Sequence, residues 1–331
     1  MSDATTTYTC PYCQQTSAGA AGSCPSCGAP IDVRLRTTSG GWTELPPIAD
    51  LARIQAGQST VEVSGRTAPV ADWNLAGDDG VYFPHHVLLW QEPTVDLSPL
   101  PMARAWKRMK AGLPLVMLAA RGPGHIAFSH DSPGEVIALP LQPGMAVDVC
   151  EHRLLVATET VGYDWQDSNV WYRASGATGA ADTGAGLGLL NIGLQAAGMA
   201  DGRSDRNRND RQDDNEWHYP VGRYVDRFSA GERPGLVMIG AGGAAFSRVL
   251  AEGETMLVKP PALLFKDASV TMQLHVEYPA AGMKLWRTWG NRYLWLRLWG
   301  PGRVGIESSY VADEDPGTDF RDMSQATQHA W

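Results

Sequence analysis

The sequence predicts an all-β fold of short antiparallel strands with one short helix, repeated about an approximate three-fold axis as a sandwich, barrel or prism and preceded by a small N-terminal four-cysteine zinc ribbon. Three observations predict it. Glycine-centred corners recur, as Gly122-Pro-Gly-His-Ile-Ala-Phe-Ser129, Gly240-Ala-Gly-Gly-Ala-Ala-Phe-Ser247 and Gly300-Pro-Gly-Arg-Val-Gly-Ile-Glu307, and such self-similarity marks repeat architecture. Between the corners lie short runs of β-branched and aromatic residues bounded by Gly, Pro and Asp. Gly (36 residues) and Pro (22) are both abundant, which favours tight turns over long helices.

The whole chain sets outer bounds. At 331 residues it holds about two domains or one large β-body with appendages. A formal charge of −9 disfavours a broad nucleic-acid footprint, which needs a net basic face. No apolar run approaches the roughly 18 residues of a membrane-spanning helix. Met1-Ser-Asp-Ala has neither the basic start nor the apolar core of a secretory signal. The expectation is a cytoplasmic protein.

The first thirty residues carry Cys10-Pro-Tyr-Cys13 and Cys24-Pro-Ser-Cys27, a C-x2-C-x10-C-x2-C spacing. Each pair suits a tight knuckle that points two thiolates at one ion, and two knuckles close a tetrahedral shell around a single structural Zn2+. So short a segment cannot bury a core, so metal binding would supply most of its folding free energy. A redox dithiol or a pair of disulfides is the competing reading. No Lys or Arg stands between the cysteines, which points the ribbon at a protein partner.

Residues 31–57 read as a linker broken by Gly40-Gly41 and Pro46-Pro47, with Leu51–Gln55 as one helical turn. The β-body is expected over 58–310. Thr60-Val-Glu-Val alternates, and Val81-Tyr-Phe and Val87-Leu-Leu-Trp90 are apolar β-runs. A helix is expected over Ala103–Lys110, with Pro101 and Gly112 as start and stop signals. Val116–Ala120, Ile126–Phe128, Glu135–Leu139, Met145–Val149 and His152–Thr158 follow as strands. The unit returns as Leu236–Ile239, the second glycine corner, Phe246–Leu250, Glu254–Val258 and Leu263–Lys266. In Tyr293–Trp299 the leucines at 294, 296 and 298 take one face and Tyr293, Trp295, Arg297 and Trp299 the other, the alternation of a strand. Over 175–216 a Gly/Ala-rich run passes into DGRSDRNRNDRQDDNE, with four arginines, six acids and no apolar residue. It cannot offset its ordering entropy, so a mobile insertion is expected. The acidic tail, 311–331, is expected to be disordered.

Gly77-Asp-Asp-Gly-Val-Tyr-Phe, the segment around Trp106, GPGHIAFS, PGEVIALPLQPGMAVDV, AGGAAFS and GPGRVGIES together resemble the family of altered inheritance of mitochondria protein 24, over Gln58–Tyr310. The resemblance implies a three-sheet β-prism similar to the tryptophan RNA-binding attenuation protein, a tendency to oligomerise and, from mitochondrial members, work at a membrane. It carries no catalytic residues across. The ribbon and the 175–216 insertion depart from the family pattern.

Four further constellations stand out in the sequence. Gly240-Ala-Gly242-Gly-Ala-Ala245 fits a dinucleotide fingerprint, but no strand–helix alternation surrounds it. His125, His130, Cys150 and His152 lie close enough in sequence to suggest a second metal, although spacing alone does not converge four ligands. His130-Asp131-Ser132 is no triad, because neighbours in extended backbone face opposite ways. Trp286, Trp289, Tyr293, Trp295, Arg297 and Trp299 form either a covered second face or an interface, for which Trp, Tyr and Arg are the enriched types. The expectation is a non-catalytic homo-oligomeric scaffold or adaptor, with a protein partner on the ribbon and peripheral membrane association. A nucleic-acid-binding regulator and a cupin-like metalloenzyme are the alternatives.

Overall fold

The computed structural model describes residues 7–9, 16–18, 26, 38, 40–45, 53–100, 117–130, 133–175, 215–278, 293–310, 320–324 and 327–330. These residues form an all-β fold of antiparallel sheets, with 3-10 turns at His85–Val87 and Pro260–Ala262. The helix expected at Ala103–Lys110 lies outside the described residues.

One pattern of six strands occurs three times. The first module runs Val70–Leu75, Gly80–Pro84, Leu88–Gln91, Asp96–Pro99, Met117–Arg121 and Gly124–Ser129. The second runs Glu135–Leu141, Ala146–Cys150, Leu154–Thr158, Val161–Asp167, Tyr224–Ala230 and Gly235–Ala241. The third runs Ala245–Leu250, Thr255–Val258, Leu263–Asp267, Thr271–Tyr278, Tyr293–Trp299 and Gly302–Glu307. In every module the first and third strands flank the sixth. The second and fourth flank the fifth. The third–sixth ladder slips register in all three, at Ala127/Phe128, Leu154/Val156 and Leu263/Phe265. Such irregularities sharpen twist and bend a strand.

Modules join through their second and third strands. Gly80–Pro84 pairs with Leu154–Thr158, and Ala146–Cys150 pairs with Leu263–Asp267, building the six- and seven-stranded sheets. The third junction would set Thr255–Val258 against Leu88–Gln91. Among the described residues no ladder joins them, and each is the end strand of its own sheet, of four and five strands respectively. Burial follows pairing: Leu154–Thr158 is buried throughout, whereas Leu89 and Trp90 are exposed. Inward-facing residues form three apolar clusters, around Trp73, Phe83 and Phe128, around Ile137, Phe228 and Phe265, and around Leu274, Leu296 and Leu298. Each fully buried large side chain contributes about 1.5–3 kcal/mol.

The repeat differs in register from the sequence reading. Gly122-Pro123 and Gly300-Pro301 both link fifth to sixth strands, but in the second module residues 231–234 do so. Gly240–Ala245 spans the passage from the second module into the third, the counterpart of residues 130–134. Similar steric demand explains the similar glycines. A Cβ at Gly122 would lie 2.6 Å from the Leu75 carbonyl oxygen, and one at Gly242 2.5 Å from that of Ser309. Close backbone approach selects glycine at both kinds of junction.

The longest connections all fall between fourth and fifth strands, at residues 100–116, 168–223 and 279–292. The 175–216 segment is entered and left through paired strands, with Ser175 opposite Asn215 and Ala174 opposite Glu216; residues 176–214 lie outside the described set. Three segments carry strands where the sequence reading placed none. Ile54–Ala56 is a strand paired with Ser59–Ser64, not part of a helical turn, because Gly57 at φ +66° closes a hairpin there. The tail expected to be disordered supplies Phe320–Met323 beside Tyr172–Ser175 and Thr327–Ala330 parallel to Thr271–Tyr278. Open sheet edges offer backbone hydrogen bonds whatever the side-chain charge. Likewise Thr43–Glu44, inside the expected linker, pairs with Phe246 and Ser247.

Candidate interaction surface

The alternation in Tyr293–Trp299 sorts its side chains as period 2 requires. Leu296 and Leu298 are fully buried and Leu294 packs partly against the same cluster. Trp295, Arg297 and Trp299 are half-buried on the opposite face. That face is held in place. The Trp295 indole Nε1 donates to Glu277 Oε2 at 2.9 Å, and Lys259 Nζ sits 4.8 Å from the centroid of the same ring. The Arg297 guanidinium lies 5.3 Å over Trp299. Cation–π contacts of this kind contribute about 0.5–2 kcal/mol. Three of the six candidate residues therefore share one face. Trp286, Trp289 and the Tyr293 side chain lie outside the described residues.

On one side Tyr293–Trp299 pairs with Thr255–Val258, the end strand of its sheet among the described residues. Leu88–Gln91, the end strand of the five-stranded sheet, exposes Leu89 at 56% and Trp90 at 43%. Trp90 stacks on His125 at 6.5 Å and 19°, and His125 Nδ1 is 3.1 Å from Asp72 Oδ1. Exposed apolar side chains on an end strand make it a template for pairing with another chain. Leu89 and Trp90 were legible only as an apolar β-run. Nothing local marks the strand as unpaired.

The suggested second metal cluster does not assemble. His125 belongs to the Trp90–Asp72 group. Cys150 is buried, with its thiol pushed up to about 12 chiefly by burial. His130 and His152 line a cleft of about 350 Å³ together with Glu135, Glu151 and Arg153. Arg153 pairs there with Glu307, which also accepts from the Gly242 amide at 2.6 Å. Burial still lifts the Glu307 carboxyl above its ordinary range against both partners. Among the described residues no group of three or more His, Cys, Asp or Glu is placed to hold a metal ion. Gly240–Ala245 joins two strands of antiparallel sheets, so it does not open a helix that could receive a pyrophosphate.

Cys10, Cys13, Cys24 and Cys27 lie outside the described residues. Thr7–Thr9 and Thr16–Ala18, which bracket the first cysteine pair in the sequence, form an antiparallel pair.

Residues 61–200 match the family model described as "Mitochondrial biogenesis AIM24". Among solved structures, an X-ray crystal structure of a Streptococcus pyogenes protein is similar at 12% identity and a TM-score of 0.49, over 76% of this chain and 94% of that one. No curated protein matches the chain. The matched stretch takes in the whole first module and the first four strands of the second, and it supports the resemblance to the AIM24 family there.

Proposed function

We propose that this protein acts by association rather than catalysis, as a self-associating β-prism that serves as scaffold or adaptor. Three modules sharing one pairing pattern suit closure about a pseudo-three-fold axis. One observation carries the functional reading: at the junction where that ring lacks a ladder, the end strand bears exposed Leu89 and Trp90. The Trp295–Arg297–Trp299 face lies next to the other end strand of the same junction, and Trp and Arg are the residue types that dominate interface energetics. On this reading the four-cysteine ribbon binds one structural Zn2+ and docks a protein partner, in a reducing, cytoplasmic setting that keeps its thiolates available. Peripheral association with a membrane surface belongs to this reading through the family resemblance alone.

Light scattering on the purified full chain tests the central claim. The expected result is a homo-oligomer that Leu89→Lys with Trp90→Lys converts to monomer without lowering Tm. A wild-type chain that stays monomeric at about 100 µM, weaker than typical specific interfaces, would count decisively against it. Metal analysis tests the ribbon separately. About one zinc per chain is expected, lost in Cys10→Ser with Cys27→Ser while the oligomer persists.

A further inference from the structure

The three modules match residue by residue through a shared irregularity. Each third–sixth ladder skips one residue, and that residue is a leucine every time: Leu89, Leu155 and Leu264. The residues after them, Trp90, Val156 and Phe265, stand opposite Ala127, Met238 and Gly305. At the two joined junctions all four of these side chains are buried. Leu155 and Val156 lie in the cluster with Phe83 and Phe128 of the preceding module, and Leu264 and Phe265 in the cluster with Val149 and Phe228 of theirs. Leu89 and Trp90 hold the same two positions and are exposed. A single exposed apolar residue needs no explanation, but two adjacent ones at positions that the sister modules bury mark a surface made to be covered.

The pairing that would cover them has a definite register. Ala157 stands opposite Tyr82, which faces Ala119 on its other side. Lys266 stands opposite Asp148, which faces Arg227. Ala119 and Arg297 each precede a Gly-Pro corner by three residues, so Leu257, which faces Arg297, is the counterpart of Tyr82. Gln91 is the counterpart of Ala157 and Lys266, because each stands opposite the third residue of its module's sixth strand. The matched register sets Gln91 opposite Leu257 and Trp90 opposite Val258. Directly opposite residues share a face, so Trp90 would join Val258 and Leu296, both buried in the third cluster.

Within one chain, among the described residues, these two strands end separate sheets and the two side chains stay exposed. We infer that a second copy of this chain completes the junction. Leu88–Gln91 of one copy adds antiparallel to Thr255–Val258 of the next in that register, and Leu89 and Trp90 enter the neighbour's third-module core. This rests on the self-association reading and gives it a strand, a register and a partner surface. Two different surfaces meet, so the contact is heterologous. A one-residue slip is disfavoured, because it turns Trp90 to the opposite face from Val258.

The test uses two full-length variants, Gln91→Cys and Leu257→Cys, prepared separately, mixed and mildly oxidised. Opposite Cα atoms in an antiparallel pair lie about 4.5–5.5 Å apart, within the span of a disulfide. The expected product is a covalent dimer of one chain of each kind, with the peptides carrying positions 91 and 257 linked. Neither variant alone, nor the wild type with its native cysteines, should give that link. Met256→Cys in place of Leu257→Cys puts the thiol on the other face and should lower the yield on the order of tenfold. Thermal melts confirm that each variant folds. Light scattering on the wild type separates the two ways of failing. An oligomer that gives no 91–257 link, or equal yields from positions 256 and 257, overturns the pairing and leaves self-association standing. A link that forms only inside the doubly substituted chain shows that the junction closes within one copy, and overturns the second-copy assignment. A monomeric wild type overturns the self-association reading and this pairing with it.

Discussion

Lys266 Nζ donates to Asp148 Oδ2 at 2.7 Å across the junction of the second and third modules, and both side chains are buried. Arg227 meets the other side of the carboxylate, with Nε 2.5 Å from Oδ1. Lys266 stands opposite Val304, the third residue of its module's sixth strand; in the other modules Ala157 stands opposite Val237, and Gln91 opposite Ile126. One junction is thus held by an ion pair, the other by Ala157 against Tyr82, while Gln91 lies on a strand that ends its sheet among the described residues.

Removing one partner of a buried pair leaves an uncompensated charge. Lys266→Met is expected to destabilise the fold by about 3 kcal/mol, with Arg227 limiting the loss. Asp148→Leu combined with Lys266→Met should recover most of it, since Arg227 is partly exposed and can turn to solvent. Urea melts of the two single variants and the double variant give the coupling energy. Additive losses would show that the two residues do not act as a pair.

Two buried carboxylates should respond to pH with opposite sign. Burial pushes Asp148 up, but Arg227 and Lys266 outweigh it and hold it below its ordinary 3.8. Its stabilisation is therefore present above that value and lost as pH falls through the lower folded one. Burial raises Glu307 above its ordinary 4.5, so the fold loses stability as pH rises from there through the folded value. Asp148→Asn should fall furthest below wild type near neutrality and converge with it in acid. Glu307→Gln should gain on wild type as pH rises from about 4 to about 7. Tm measured from about pH 2 to about pH 7 reads both slopes, that of Asp148 below 3.8 and that of Glu307 above 4.5, and slopes of equal sign would contradict the assignment.

Corner glycines should differ in tolerance. A Cβ at Gly122 would press on the Leu75 carbonyl at 2.6 Å, and one at Gly300 on the Ala251 carbonyl, whereas a Cβ at Gly231 meets nothing within 4 Å. Gly122→Ala and Gly300→Ala should each cost about 1–3 kcal/mol, and Gly231→Ala less than about 0.5 kcal/mol. Denaturant midpoints decide, with Gly231→Ala as the internal control.

Cys150 should be inert in the folded protein, because it is buried and its thiol is pushed up to about 12, which leaves almost no thiolate at neutral pH. Iodoacetamide at pH 8 followed by peptide mass analysis should find it unlabelled until the chain is unfolded in urea. Rapid native labelling would show that the strand Ala146–Cys150 opens locally.

Much of the candidate surface was legible in advance. The leucines and the Trp–Arg set of Tyr293–Trp299 separate onto two faces as their spacing requires, since a strand's side-chain period is a local property. The glycine corners are legible too, yet Gly240–Ala245 lies between two modules and not, as its likeness to Gly122–Ser129 suggests, between fifth and sixth strands. Glycine reports that backbones approach closely there, not which strands approach. The exposure of Leu89 and Trp90 is not local for a related reason. Val87-Leu-Leu-Trp90 is an apolar run like Leu154-Leu-Val-Ala-Thr158, and among the described residues a strand on both sides buries the second, whereas the first has one on a single side.

By itself, then, the order of residues determined an all-β chain, the positions of its tight corners and the inward face of each strand, because alternation and turn chemistry act over a few neighbours. Tertiary structure alone decided which strands lie side by side and, among the described residues, that Leu88–Gln91 and Thr255–Val258 end their sheets and that the buried Trp73 indole N–H has no partner. Ladder hydrogen bonds join backbone groups far apart in the chain and are nearly indifferent to side-chain identity, so no local pattern announces which edge will go unpaired.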